Sequence, residues 1–203
     1  LALSSGYFSF FPDIDGTSRR VPLLVEYEGR YYEALSLAMA RALLGNPPLQ
    51  LGLPAHDSDY QRIEWLGFAD IRVPVDTHLQ ALVPYQGRAY HFPYVSAVDV
   101  IQGRVPLARL QGKIVLVGTS APGLLDLRSA PVDNVYPGVE VHANLVMGIL
   151  DGTIKHHPAY TVAVEFLTLL GLGLSLAFLL PRLGPIKGTL WIMALGAVVL
   201  GVN

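Results

Sequence analysis

From Tyr160 to Leu180 the chain is apolar almost without interruption, and Glu165 is its single charge. A helix of about 20 such residues crosses the hydrocarbon core of a bilayer. The break Pro181–Gly188 is short and turn-rich, and a second apolar run begins at Thr189 and continues to the last residues. Two helices joined by a tight loop make a transmembrane hairpin. Arg182 and Lys187 lie in the loop. Short basic loops stay inside the cell, so the residues before Tyr160 are expected outside the cytoplasm. Glu165 falls near the outer end of its helix, where it snorkels or faces a neighbouring helix. The chain does not begin with Met and ends in an apolar run, and it reads as a piece of a longer polypeptide.

The rest of the sequence is different in kind. Hydrophobic residues make up 52% and charged residues 15% of the chain, with the excess apolar content after Tyr160. A formal net charge of −2 leaves no basic footprint for nucleic acid. The absence of Cys excludes a disulfide framework and a zinc-thiolate site.

The central element is expected at Lys113–Gly118. Ile114, Val115, Leu116 and Val117 run without alternation and stop at Gly118, as in a strand buried on both faces of a parallel sheet. A helix over Val139–Leu150 follows, bounded by Pro137-Gly138 and Asp151-Gly152. Together they predict an α/β fold: a mixed, largely parallel sheet flanked by helices, followed by the transmembrane hairpin. The folded domain spans residues 1–157 and the membrane part 158–203. Strands are expected at Ser5–Phe11 and Arg20–Glu28, paired as a hairpin, and at Ile71–Val75 and Leu79–Tyr85, with Gln86-Gly87-Arg88 as a turn. Glu33–Leu44 reads as a helix by its apolar spacing, with Gly45 and Pro47-Pro48 stopping it. Gln50–Asp70 reads as a loop insertion. Ser96–Gln102 reads as a short helix, with Ser96 and Asp99 placed as a capping box and Gly103 ending it.

Several motifs invite a chemical reading. Asp13-Ile14-Asp15-Gly16-Thr17 matches the opening run of the haloacid-dehalogenase phosphotransferases, where one Asp attacks phosphorus and magnesium sits between the pair. Pro12 interrupts the strand before it, and no later acidic pair completes the metal site. A calcium loop needs Glu at its twelfth position, where Leu24 stands. Gly118-Thr119-Ser120-Ala121-Pro122 lacks the Gly-x-Ser-x-Gly elbow of a serine hydrolase, and Gly-x-Gly-x-x-Gly is absent there too. Asp126 and His142 follow no metal-ligand spacing, so no metal, cofactor or catalytic residue is assigned. Arg19-Arg20 is a solvated or ion-paired surface. The binding candidates are Gly118, Thr119 and Ser120 at the end of the expected strand, Asp126 and Asp133 in the loop after it, and Glu140, His142 and Asn144 on the helix. His142 shares a face with Leu145, Val146 and Ile149, which favours a hydrogen-bonded core position. Glu140 and Asn144, one turn apart, face solvent or the pocket.

Four blocks carry a family likeness. They are Pro12-Asp13-Ile14-Asp15-Gly16 with Arg19-Arg20-Val21-Pro22-Leu23, Ser96–Gly103, Gly112–Thr119 with Asp126 and Pro131, and Pro137-Gly138-Val139-Glu140-Val141-His142-Ala143-Asn144. In this order, just before membrane helices, they resemble the CHASE type 2 sensor domain (cyclases/histidine kinases associated sensory extracellular). The resemblance covers most of residues 6 to 155, and the fourth block is the most specific. It departs at Ala130, where the family often has Thr before the Pro. The resemblance implies an extracytoplasmic input domain of a bacterial inner-membrane, multi-pass receptor. The implied output is a nucleotide cyclase, a histidine kinase or a Ser/Thr kinase, attached beyond further membrane helices. The implied partners are a small-molecule or environmental signal, the lipid bilayer and a second copy of the chain as a homodimer. No ligand residue is carried over from the family.

Overall fold

The computed structural model describes residues 3–9, 11–53, 63–119, 126–155 and 160–202, with backbone alone from 198 onwards. The chain divides into two compact units, Leu1–His156 and His157–Asn203.

The first unit contains short strands in small antiparallel sheets, with helices packed against them. β1 (Arg20–Pro22) is followed by β2 (Leu24–Tyr27) and β3 (Arg30–Glu33), then by helix α1 (Leu35–Leu43). β4 (Gln50–Gly52), β5 (Trp65–Phe68), β6 (Ile71–Pro74) and β7 (Gln80–Leu82) come next. Helix α2 (Ala97–Ile101) and a 3-10 turn at Leu107–Arg109 precede β8 (Leu127–Ala130), β9 (Asp133–Pro137) and helix α3 (Gly138–Asp151). The pairings are β1 with β7, β2 with β3, β4 with β5 with β6, and β8 with β9, all antiparallel.

The largely parallel sheet is therefore overturned, and the reason is the length of the connections. Tyr27 pairs with Arg30, Phe68 with Ile71 and Ala130 with Asp133, so two residues separate the strands at each turn. Two-residue turns can join only antiparallel strands, whereas a parallel pair needs a crossover of about a dozen residues or more. At the first turn Glu28 and Gly29 both have positive φ (50° and 72°), the backbone of a tight hairpin. The parallel contacts among the described residues are isolated bridges, Tyr7 to Ala34 and Thr17 to Ser129.

The expected central strand is also corrected. Lys113–Thr119 forms no strand, and Val115 and Val117 are exposed (52% and 89%). A β-branched run favours an extended backbone, but whether it is buried depends on a partner strand that the run itself does not encode. Among the described residues of Ser5–Phe11 there is no strand beyond the isolated Tyr7 bridge to Ala34. The Tyr7 backbone bonds to Glu33 O and Leu35 N at the start of α1, and the Tyr7 hydroxyl donates to Pro22 O. The Arg20–Glu28 strand breaks at Leu23, and its two halves pair with β7 and β3 rather than with the N-terminal segment. Gln50–Asp70, read as a loop, supplies β4 and β5. Gln86-Gly87-Arg88 turns no hairpin, since β7 pairs with β1 and the Gln86 amide is taken by α3.

The core collects one face of each element. Val21 and Leu23, Leu37 and Ala40 of α1, Leu66, Phe68 and Val73 of β5 and β6, and Val141, Leu145 and Ile149 of α3 are all buried together. The Leu37/Ala40 and Val141/Leu145/Ile149 spacings are those of helices with one apolar stripe, and α1 packs on α3. Gly45 follows α1 and Gly152 follows α3, as the sequence predicts.

The second unit is helical. α4 (Tyr160–Leu179) runs through a 3-10 turn (Leu180–Arg182) to α5 (Pro185–Val202). Tyr160–Arg182, 23 residues, is long and apolar enough to cross a membrane, and its best apolar window is 0% buried. The Trp191 indole donates to Ser175 Oγ at 3.0 Å, joining α5 to α4.

Candidate functional site

Helix α3 carries the polar groups to which the sequence draws attention, and each is held by a different part of the first unit. Glu140 and Asn144 are i and i+4, so they share one face of the helix. That face is covered by segment 84–94. Glu140 is 2% exposed and accepts hydrogen bonds from the Tyr90 amide (2.9 Å), the Phe92 amide (3.2 Å) and the Tyr94 hydroxyl (3.2 Å). Asn144 is fully buried and accepts from the Gln86 amide at 3.0 Å. Its Nδ2 donates to the Tyr136 hydroxyl (2.9 Å) and to Glu140 O (2.7 Å). Two helix side chains thus take three backbone amides of one irregular segment. Buried amides need such partners, and a segment outside any sheet must find them in side chains.

An aromatic network continues from this face. Tyr136 meets Tyr85 edge-on at 5.1 Å, and the Tyr85 hydroxyl donates to Ser18 O at 2.6 Å. Burial raises the phenol of Tyr136 to about 12 and raises those of Tyr85 and Tyr94 further. Burial is the main cause at Tyr94, with the Glu140 carboxylate adding to it. All three remain protonated at neutral pH.

His142 meets the N-terminal segment instead. It is 3% exposed, and its Nε2 is 3.0 Å from Phe8 O. A carbonyl only accepts, so Nε2 carries the proton in this bond. Burial lowers the imidazole pKa, partly offset by the Phe8 carbonyl and by Asp126.

The remaining candidates are spread out. Gly138 N bonds to Asp126 O at 2.8 Å, and a Cβ on Gly138 would lie 2.2 Å from Asp126 Oδ1. That close approach explains the glycine at the start of α3. Asp133 Oδ1 accepts from the Val135 amide within β9. Gly118 lies against the Val139 side chain, and Thr119 is exposed. Ser120 lies outside the described residues. Asp133, expected in a loop, lies in β9, and Asp126 immediately precedes β8. Among the described candidates, Glu140 and Asn144 share the face under segment 84–94, and Asp126 lies close enough to His142 to act on its charge.

Arg19 occupies the centre of the Asp13–Thr17 turn. Its Nη1 is 2.9 Å from Asp13 Oδ2 and 2.9 Å from Asp15 Oδ1, and its Nη2 is 2.7 Å from Asp15 Oδ2. The guanidinium and the Thr17 amide hold the Asp15 carboxyl below the usual carboxylate range. Arg20 reaches Asp13 and Asp76, each at 3.8 Å.

A cleft of about 370 Å³ opens beside Tyr94, bordered by Ser96, Asp99, Arg104 and Arg109. None of these five was singled out as a binding residue. The sequence signal is the pair Arg104 and Arg109, five residues apart and on no common helix face.

The CHASE2 domain family model matches residues 2–180. The chain belongs to the CHASE2 family, whose members are extracytoplasmic sensory domains of membrane signalling receptors. No curated protein and no solved structure matches the chain.

Proposed function

We propose that the chain is the sensory input portion of a multi-pass inner-membrane receptor. Its first unit, with residue 157 as the expected boundary, lies on the periplasmic or extracellular side. The observation that carries this reading is the span of the family match, which includes both the folded unit and the apolar helix that begins at Tyr160. The signal is received by the folded unit, and the response is a change in how the membrane helices pack. A ligand drives such a change only through unequal affinity for the two states. The Trp191–Ser175 bond supports a helical hairpin. The output is a nucleotide cyclase or a protein kinase beyond these helices, and the receptor works as a homodimer. The binding candidates on α3 then act as a frame, since Glu140 and Asn144 hold segment 84–94 against the helix.

The chain contains no Cys, so single-cysteine probes report cleanly. In intact cells a membrane-impermeant maleimide is expected to label Glu26→Cys, on an exposed strand, and to reach Lys187→Cys only after lysis. Labelling of both from one side ends the receptor reading. The alternative, a phosphohydrolase using Asp13 and Asp15, gains no support from a geometry in which Arg19 bridges both carboxylates. Magnesium-dependent phosphatase turnover lost in Asp13→Asn is the result that revives it.

A further inference from the structure

The cleft beside Tyr94 has the makings of a ligand site. Its volume, about 370 Å³, falls among small-molecule sites of about 300–1,000 Å³. Its charges are unevenly matched. Arg104 is bound to Asp99, with Nε at 2.8 Å and Nη2 at 2.5 Å from the same carboxylate oxygen. Arg109, also on the wall, has no ion pair among the described residues. Ser96 stands at the N-cap of α2, yet its side chain makes no capping bond, contrary to the capping box expected there. Asp99, the other half of that box, is turned to Arg104 instead. Among the described residues the cleft therefore offers a guanidinium with no ion pair and a hydroxyl with no capping bond, next to a carboxylate already paired with Arg104.

The position of the cleft matters as much as its charge. Tyr94 forms part of its wall, and the Tyr94 hydroxyl bonds to Glu140 on α3. The same carboxylate holds the Tyr90 and Phe92 amides, and the Tyr90 and Tyr94 rings lie 5.1 Å apart. A molecule that moves the Tyr94 ring thus changes one of three bonds to a single buried carboxylate.

We propose that this cleft binds a small oxyanion, a carboxylate or a phosphate, through Arg109 and Ser96, and that occupancy is felt at Glu140 through Tyr94. A guanidinium presents paired N–H donors that match either oxyanion. The proposal deepens the receptor reading by giving the signal a chemical class, and the coupling to α3 rests on that reading.

The test uses the 203-residue chain in uncharged phosphatidylcholine nanodiscs at fixed ionic strength. Inorganic phosphate and succinate are the probes, and binding is measured by equilibrium dialysis. Saturable binding of at least one probe is expected, weakened at least ten-fold by Arg109→Ala and unchanged by Arg30→Ala, an exposed arginine on β3. Preference for one probe assigns the phosphoryl or the carboxylate class. Bound probe is also expected to alter hydrogen exchange at the Tyr90 and Phe92 amides, and Tyr94→Phe to abolish that response while binding persists. Absence of saturable binding to both probes, or equal weakening by Arg30→Ala, overturns the site. Binding with unaltered exchange overturns the link to α3. Cysteine labelling separates the two levels: a domain facing outward with no bound probe loses only the cleft, and a domain facing the cytoplasm with Arg109-dependent binding loses only the receptor.

Discussion

Helices α3 and α4 each carry a long apolar stretch and one glutamate, and the two glutamates live in opposite surroundings. Glu140 is 2% exposed and bonded to two amides and a phenol. Glu165 is exposed, on a helix with no buried residue among those described. The difference shows what each helix is built to meet. In α3 the apolar stripe faces a packed core, and Glu140 and Asn144 are buried because segment 84–94 supplies donors for them. In α4 most apolar side chains are exposed, an arrangement that hydrocarbon rather than water stabilises.

If α3 is a clamp, removing its carboxylate is the most damaging change. Glu140→Ala leaves the Tyr90 and Phe92 amides without partners, at about 1–3 kcal/mol for each orphaned group. A loss of about 4 kcal/mol in unfolding free energy is expected. Chemical denaturation measures it, and a loss below about 1 kcal/mol would mean that water replaces the carboxylate. If α4 is lipid-facing, a charge at its middle is next in size. Leu170→Arg is expected to cost about 3 kcal/mol of membrane insertion. A glycosylation-mapping insertion assay reads this directly, and full insertion of the variant places the α4 face against protein instead.

Asn144→Ala sharpens the clamp further. It strips the Gln86 amide and the Tyr136 hydroxyl of their partners, and about 2 kcal/mol is expected. Faster hydrogen exchange should be confined to Gln86 and its neighbours, and exchange that rises evenly across the unit refutes the clamp. The smallest effect concerns pH. His142 is buried with a lowered pKa, so the unfolded chain binds a proton that the folded chain resists. Its contribution is intact above the unfolded value of about 6.5 and declines as pH falls below it. His142→Gln is expected to flatten that acid-side decline in Tm while lowering Tm modestly at pH 8. An unchanged slope removes His142 from the account.

Legibility in the sequence followed the range of the interaction. The helices α1 and α3 are readable from apolar residues and α2 from Ser96 and Asp99, each with a stop signal (Gly45, Gly152, Gly103) that acts within a few residues. Strands β6 and β7 were readable as extended segments. Their partners were not, since β1 pairs with β7 across some sixty residues. The apolar face around His142 points to a bonded core position, but its partner, Phe8 O, is 134 positions away. The cleft is not legible in the sequence because Arg109 meets Tyr94 and Ser96 only through chain folding.

The family, the apolar helix from Tyr160 and the polar pair Glu140/Asn144 on one helix face were determined by sequence alone, because each depends on residue type and short spacing. Tertiary structure alone decided that the sheets are antiparallel, that Lys113–Thr119 lies exposed and that Glu140 and Asn144 bind segment 84–94. Those outcomes depend on which distant segment supplies the missing hydrogen-bond partner, and no local pattern specifies that choice.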